Sequence, residues 1–492
     1  MNLTKSRYCT YLHCPKHCYL DAYKSDQAAI DNQAQQRFEE GNLIGDMAMG
    51  YFGDFVEVTT YKADGTLDIA AMLHKTQQLI TDGTDNICEA SFAHNGLFCS
   101  VDILRKEKGG YAIYEVKNST TVKQEHLHDI AFQKHVLELC GINVTGAYIM
   151  HIDKDYARNG NIDIRKLFVI QPVMGDITDH GQLVVKIAPQ ALATLNNPSE
   201  PIIQFASKCT DCVYWKYCTK GVAKPSVLEL RGNCGKWKWY NNGIKTMNEL
   251  LVSSERVGAK QQLQADHEVN DRAPFVDKVK LRLFLSTLTT PLYFLDFETM
   301  SFALPPYDNV HPNESIPFQY SLHYVESVDG EVKHKEFLGE PESDPRRALA
   351  EQLCNDIPAD VCTLAWHASV EKDVIEKLAA TFPDLARRLL NIHSNILDLE
   401  YPFSHQLYYN KRMQGRSSIK YVLPALFPDD STADYHNLEG VHNGTEAMTS
   451  FPKMKDMSPQ KRAKTRKDLL DYCALDTRAM VRIWKELLRV SK

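Results

Sequence analysis

Leu97-Phe98-Cys99-Ser100-Val101-Asp102-Ile103-Leu104-Arg105 and Tyr111-Ala112-Ile113-Tyr114-Glu115-Val116-Lys117 flank Lys106-Glu107-Lys108-Gly109-Gly110. Two strand-like runs around a glycine-bearing turn predict a β-hairpin. Side chains alternate along a strand, so Glu115 and Lys117 share one face. Asp102 joins them for any turn with an even number of residues, because opposed residues point the same way. Two carboxylates and an amine therefore converge. Carboxylate oxygens suit a hard cation, Mg²⁺ or Mn²⁺. Such an ion polarises a phosphate and activates water, and a neighbouring lysine offsets developing negative charge. On spacing alone, a solvated strand with an ordinary charge pair is the better account.

Working outward, helices are predicted over 14–23, 35–51 and 124–140, and a further strand over 144–152. Strands flanked by helices make residues 1–220 an α/β unit. Residues 221–288 read as a helical connector, punctuated by Pro225, Gly232, Gly235 and Gly243. A second α/β unit, 289–492, opens with Tyr293-Phe294-Leu295-Asp296-Phe297-Glu298 and closes with an amphipathic helix over 467–488. A chain of 492 residues is too long for one core.

The composition, 43% hydrophobic and 24% charged, is that of a soluble globular protein. No apolar run approaches the ~18 residues that a membrane span needs. The opening residues lack a secretory h-region, which predicts a cytoplasmic protein without a membrane partner. The net charge of −7 gives no general attraction to nucleic acid. Basic residues cluster between Lys453 and Lys467, where a solvated loop and helix start explain them at least as well as phosphate contact.

The order Glu89, Asp102, Glu115-Val116-Lys117, then Asp129-x3-Gln133 on a helix resembles the PD-(D/E)XK nucleases of the RecB type, over residues 1–220. The resemblance implies a restriction-endonuclease-like fold. It also implies that Asp102 and Glu115 bind metal, that Lys117 is catalytic and that Gln133 lies beside the site. Many relatives carry an upstream histidine; Glu40-Gly41-Asn42 stands in its place here.

Thirteen cysteines in a chain read as intracellular argue against a disulfide framework. Cys88, Cys99, Cys140, Cys354, Cys362 and Cys473 read as small buried hydrophobes. Cys209-x2-Cys212-x5-Cys218 supplies three close thiolates and needs a fourth. Cys14 of Cys14-Pro15 is a candidate, with Cys9, Cys18 and Cys234 in competition. Closing a loop of ~195 rather than ~15 residues costs only ~2 kcal/mol more. A structural metal centre, worth ~10–16 kcal/mol for zinc, outweighs that. Zinc sites usually come as paired C-x2-C units. One distant cysteine plus the triad instead resembles the 4Fe–4S staple of AddB-type and CRISPR-associated RecB-like nucleases. Lys5-Ser6-Arg7-Tyr8 followed by Cys14-Pro15-Lys16 matches that family's opening. The resemblance implies a structural iron–sulfur cluster on Cys14, Cys209, Cys212 and Cys218, with zinc as the alternative.

Asp296 and Glu298 share a strand face, and Tyr472 and Asp476 share a helix face. With Gln319, Leu397-Asp398-Leu399 and Ser418–Pro424, they resemble DnaQ-like exonucleases of the DEDDy class, over residues 289–492. The resemblance implies an RNase H-like fold and four acids holding two metals ~3.5–4 Å apart, with Tyr472 positioning the attacking water. Glu371 stands where the family has its remaining acid, and Asp373 competes for the role. Asp398 reads as structural; Lys420 either approaches phosphate or is simply exposed. Together the two resemblances imply a hydrolase that cleaves DNA in preference to RNA at two metal-dependent sites, one a 3′→5′ exonuclease, in DNA repair or defence. The alternatives are an RNA-processing exonuclease and a nucleic-acid-binding platform with an inactive first domain.

Overall fold

The computed structural model describes residues 1–29, 32–232, 234–430, 440–441 and 443–492. It is an α/β protein of two units, Met1–Lys220 with Phe302–Glu314, and Gly221–Ser301 with Ser315–Lys492. Among the described residues, no helix is long and apolar enough to cross a membrane.

In the first unit, β1 (Asn86–His94), β2 (Leu97–Glu107) and β3 (Gly110–Lys117) form an antiparallel meander. β4 (Val144–Ile152) runs parallel to β3, and β5 (Phe168–Pro172) runs antiparallel to β4. The turn between β2 and β3 is Lys108-Gly109, since Glu107 pairs with Gly110. Gly109 sits at φ +90°, a conformation that favours glycine. Continuing the register of that hairpin sets Asp102 opposite Glu115. Helices α1 (Lys5–His13), α2 (Pro15–Tyr23) and α3 (Asn32–Met49) precede these five strands, and the short strand Leu3–Thr4 ahead of α1 pairs parallel with β2. α4 (Gln124–Leu139) makes the crossover from β3 to β4. Its inner face carries Leu127, Ile130, Phe132, Val136 and Leu137 into the core, together with the buried polar pair Asp129 and Gln133. Tyr8 of α1 stacks on Phe132 at 5.1 Å.

The sheet of the second unit uses β6 (Leu292–Met300), β7 (Ile316–Val325), β8 (Lys333–Leu338), β9 (Cys362–Ala365) and β10 (Ile396–Asp398), ordered β8-β7-β6-β9-β10. β6, β7 and β8 are antiparallel, whereas β9 and β10 run parallel to β6. β6 is central, which is why Leu292-Tyr293-Phe294-Leu295 is apolar without alternation. One face holds Leu295, Phe297, Tyr320 and Leu322 against α7 (Arg346–Asp356), α8 (Ser369–Thr381) and α9 (Ala386–Ser394). The other face meets the long α10 (Pro459–Ser491), where Phe294 approaches Trp484 at 5.8 Å.

The predicted connector is not a body of its own. Val227, Leu230, Trp239, Met247, Leu250 and Ala265 make a small core within it. It is also tied to the rest of the second unit by Lys260 Nζ donating to Ser404 O (2.7 Å) and Arg282 Nε donating to Ser491 O (2.6 Å). The predicted closing helix starts earlier than 467, at Pro459, because Ser458 caps it and proline suits the first helical turn. Residues Lys461 to Lys467 of the basic run therefore lie on this helix, and Lys453 and Lys455 precede it. There Arg462 pairs with Glu340 and Glu342, Arg466 with Glu340, and Lys467 with Asp471. That is the solvated-face account of the run.

Candidate active sites and cysteine cavity

Asp102, Glu115, Lys117 and Gln133 converge in the first unit. Lys117 Nζ donates to Glu115 Oε1 (2.6 Å) and to Asp129 Oδ2 (2.5 Å). Gln133 Nε2 donates to Glu115 Oε2 (2.6 Å) and Asp129 Oδ1 (3.1 Å). Asp102 Oδ2 accepts the Val116 N–H at 2.7 Å, which fixes the aspartate on the rim of β3. Glu89 stands opposite Asp102 when the β1–β2 register is continued, and its own backbone is left-handed at φ +56°. Burial, then the nearby Asp102 carboxylate, pushes its pKa up to about 8.

Sequence reasoning missed Lys5. Its Nζ reaches Asp102 Oδ1 at 3.2 Å and both oxygens of Glu115 at 2.9 and 3.0 Å. Burial alone would lower its pKa, but Asp102, Glu115 and Asp129 hold it well above its ordinary value. A second cation thus sits between the two carboxylates predicted to bind metal. Asp129 was visible only as the partner of Gln133 in a spacing, yet it completes this ion network. Glu40, at the place of the family histidine, accepts a hydrogen bond from Gln36 on its own helix (2.9 Å). Gln133 Oε1 is buried without a hydrogen-bond partner. The donor set suits a divalent ion on Asp102 and Glu115, provided that the ion displaces the Lys5 ammonium.

In the second unit Asp296 and Glu298 project from β6 toward α10, which returns Tyr472, Cys473 and Asp476 on its buried face. Asp296, Glu298 and Cys473 form a possible metal-binding group, each offering an atom within 4.8 Å of the others. Burial, with Asp296 and Glu298 nearby, holds the Cys473 thiol well above its ordinary pKa. It therefore acts as a hydrogen-bond donor, reaching Asp296 Oδ2 at 3.5 Å. Its assignment as a plain buried hydrophobe was incomplete. Glu371 lies in the first turn of α8, buried, with Oε2 lacking any hydrogen-bond partner. Asp373 is exposed and pairs with Lys377 at 2.6 Å. Asp398 Oδ1 accepts the N–H groups of His367 (3.1 Å) and Glu400 (2.8 Å). The Lys420 ammonium lies 5.6 Å from the Tyr472 ring centre. Gly444 begins a helix beside β6, where an added Cβ would come 3.4 Å from Glu298 Oε2.

Like charges dominate this second cluster. Burial and Asp476 raise Glu298 to about 8, and burial with Asp398 and Asp476 raises Glu371 to about 8. Asp296 is raised too, by burial and then by Asp476, Glu298 and Glu371. An orphaned carboxylate oxygen among mutually repelling acids fits a divalent cation. The metal-free protein should therefore lose stability as pH rises. Below about 4.5 these carboxyls are protonated folded or unfolded; between about 4.5 and 8 the folded site holds protons that the unfolded chain has released. The stabilising contribution is complete below that window and gone above it. Thermal unfolding in EDTA should show Tm falling from pH 5 to 8, with Mn²⁺ restoring more at pH 8 than at pH 5. A flat profile would contradict the buried repulsion.

Cys14, Cys209, Cys212 and Cys218 line one cavity of the first unit, walled also by Leu20, Ile203, Phe205 and Trp215. Cys14 joins the end of α1 to the start of α2, which brings it to the triad. The competing cysteines point elsewhere. Cys18 is in the unit's main core, Cys9 faces the Asp129–Lys117 charges, and Cys234 packs in the second unit. His17 Nδ1 lies 3.6 Å from Cys212 Sγ. Burial would raise Cys212, but His17 and the Tyr214 N–H lower it below its ordinary pKa. Among the described residues, no three of the four sulfurs lie within 4.8 Å of one another.

A family model described as a domain of unknown function (DUF2779) matches residues 293–418. The match takes in Asp296, Glu298 and Glu371 and stops before Tyr472 and Asp476. No curated protein matches the chain.

Proposed function

We propose that this protein is a metal-dependent nuclease with two active sites that acts on DNA, its second unit a 3′→5′ exonuclease. The observation carrying the reading is the convergence of Asp296, Glu298, Glu371 and Asp476 as mutually repelling acids, with Glu371 Oε2 unsatisfied. The β8-β7-β6-β9-β10 order, with only β7 antiparallel to its neighbours, supports an RNase H-like second unit. The hairpin and crossover helix that gather Asp102, Glu115, Lys117 and Gln133 support a PD-(D/E)XK first unit.

Mg²⁺ or Mn²⁺, when bound, supplies polarisation of the phosphate and a more acidic water. The four acids of the second unit would hold it there, and Asp102 with Glu115 in the first. Around the ion, Tyr472 offers a phenol to orient the attacking water. Lys117 places a fixed positive charge beside the reacting phosphate in the first unit. DNA repair or defence in the cytoplasm is the setting consistent with such chemistry.

The test is digestion of end-labelled DNA and RNA, single- and double-stranded, with Mg²⁺, Mn²⁺ or EDTA. Metal-dependent release of nucleotides from DNA 3′ ends is expected. Cleavage of RNA alone would transfer the reading to RNA processing, and no cleavage of any substrate would sink it.

The cysteine cavity supports an iron–sulfur cluster over zinc. Zinc sites usually come as paired C-x2-C units, whereas here one distant cysteine, Cys14, joins a Cys209-x2-Cys212-x5-Cys218 triad. Anaerobically purified protein is expected to be brown, with about four irons per chain. Colourless protein carrying one zinc would overturn the assignment. Cys212→Ser should cost the first unit several kcal/mol, roughly 10 °C in its Tm, while the second unit's transition stays put. Differential scanning calorimetry separates the two.

A further inference from the structure

The second unit contains a cavity of about 320 Å³ away from its carboxylate cluster. That volume lies at the lower end of ligand sites, about 300–1,000 Å³. Its charged lining is Arg231, Lys260 and Arg416, and no aspartate or glutamate lines it. Lys260 is engaged, donating to Ser404 O at 2.7 Å. Each arginine, by contrast, leaves its Nε buried without a hydrogen-bond partner, although both side chains are partly exposed. A buried N–H left without an acceptor is costly. Burial, and then Arg416, lowers the Arg231 pKa.

The scaffold fixes the backbone N–H and C=O of Arg231 and the turn that leads into Arg416. Gln264 Oε1 accepts the Arg231 N–H at 3.1 Å while its Nε2 donates to Glu229 O at 3.2 Å. Gln261 Nε2 donates to Arg231 O at 2.7 Å. Arg416 follows Gly415, whose φ is +70° and whose added Cβ would fall 2.5 Å from Gln264 Oε1. Only glycine lets that turn close on the glutamine. Arg416 is further held over the Tyr421 ring, 4.3 Å from its centre. Phe403 and Met413 supply an apolar wall.

We infer that this cavity binds a phosphate group through Arg231 and Arg416, carried on inorganic phosphate or on a mononucleotide. Arginine presents a planar fork matched to phosphate oxygens, and two forks in a cavity lined by no carboxylate suit a multiply charged anion. The assignment stands apart from the nuclease reading, since no residue of the carboxylate cluster takes part.

The test is isothermal titration of the full chain in EDTA, so that no metal at Asp296 contributes, with inorganic phosphate, deoxyadenosine 5′-monophosphate and deoxyadenosine as probes. Saturable binding of one phosphate-bearing probe per chain is expected, at least tenfold weaker in Arg231→Met and in Arg416→Met, with deoxyadenosine not bound. Nucleotide binding tenfold tighter than phosphate identifies the mononucleotide as ligand; equal binding identifies the free anion. Hydrogen–deuterium exchange on the wild-type chain should show protection at 229–232 and 413–417, which keeps the test independent of how the variants fold. Absence of saturable binding, equal binding of deoxyadenosine, or unchanged affinity in folded variants would each overturn the inference.

Discussion

Asp296→Asn is expected to lower exonuclease turnover at least about 10³-fold, which is the several kcal/mol of transition-state stabilisation that a metal-binding carboxylate supplies. Folding should survive, and the Tm of the metal-free protein at pH 8 should rise, because the substitution removes one of several mutually repelling acids. Lost rate with gained stability is the trade-off expected of a site built from mutually repelling acids. Glu371→Gln should behave alike, its carboxyl being buried and unsatisfied. Asp373→Asn should be mild, since that side chain is exposed on its pair with Lys377. An inactive Asp373→Asn beside a fully active Glu371→Gln would mean that the acids of this site have been misassigned.

The second large effect concerns the first unit. Lys117→Ala should reduce its cleavage about 10²–10³-fold while leaving the products of the second site unchanged. Unlike Asp296→Asn it should also destabilise, because Lys117 bonds both Glu115 and Asp129, each buried. Removing one partner of a buried ion network costs about 3–5 kcal/mol. Lys5→Met should act in the opposite sense on metal. It removes the ammonium that occupies Asp102 and Glu115, so the Mn²⁺ concentration for half-maximal cleavage should fall about tenfold. If Lys117→Ala leaves every product pattern intact and Asp296→Asn removes all cleavage, the first unit is a binding platform.

The hairpin around Gly109 was legible because alternation and turn chemistry are local, and its register followed from the turn. β4 was legible over Val144–Ile152 for the same reason. The carboxylates of the second unit could be paired in advance because strand and helix periodicity put Asp296 with Glu298 and Tyr472 with Asp476. Glu371 could be preferred over Asp373 but not separated from it by spacing; burial separates them. Lys5 was invisible because nothing local links the first residues of α1 to β2 and β3, 97 and 110 positions away. Cys473 was rightly read as buried, but its donor role was missed because a thiol's polarity emerges only against a neighbour such as Asp296. The arginine cavity escaped notice because its walls join the helical connector to residues 403–417, far apart in sequence and marked by no local motif.

The two-residue turn at Lys108-Gly109 makes the first site an arithmetic object. Lengthening the hairpin tip by a single residue would slip β2 against β3 and turn Asp102 to the far side of the sheet, whereas lengthening it by a pair would keep Asp102 facing Glu115. Tolerance to inserted sequence at this tip should therefore alternate with parity instead of declining with size. An engineer could graft a long peptide here and keep the site intact, yet lose it by adding one alanine.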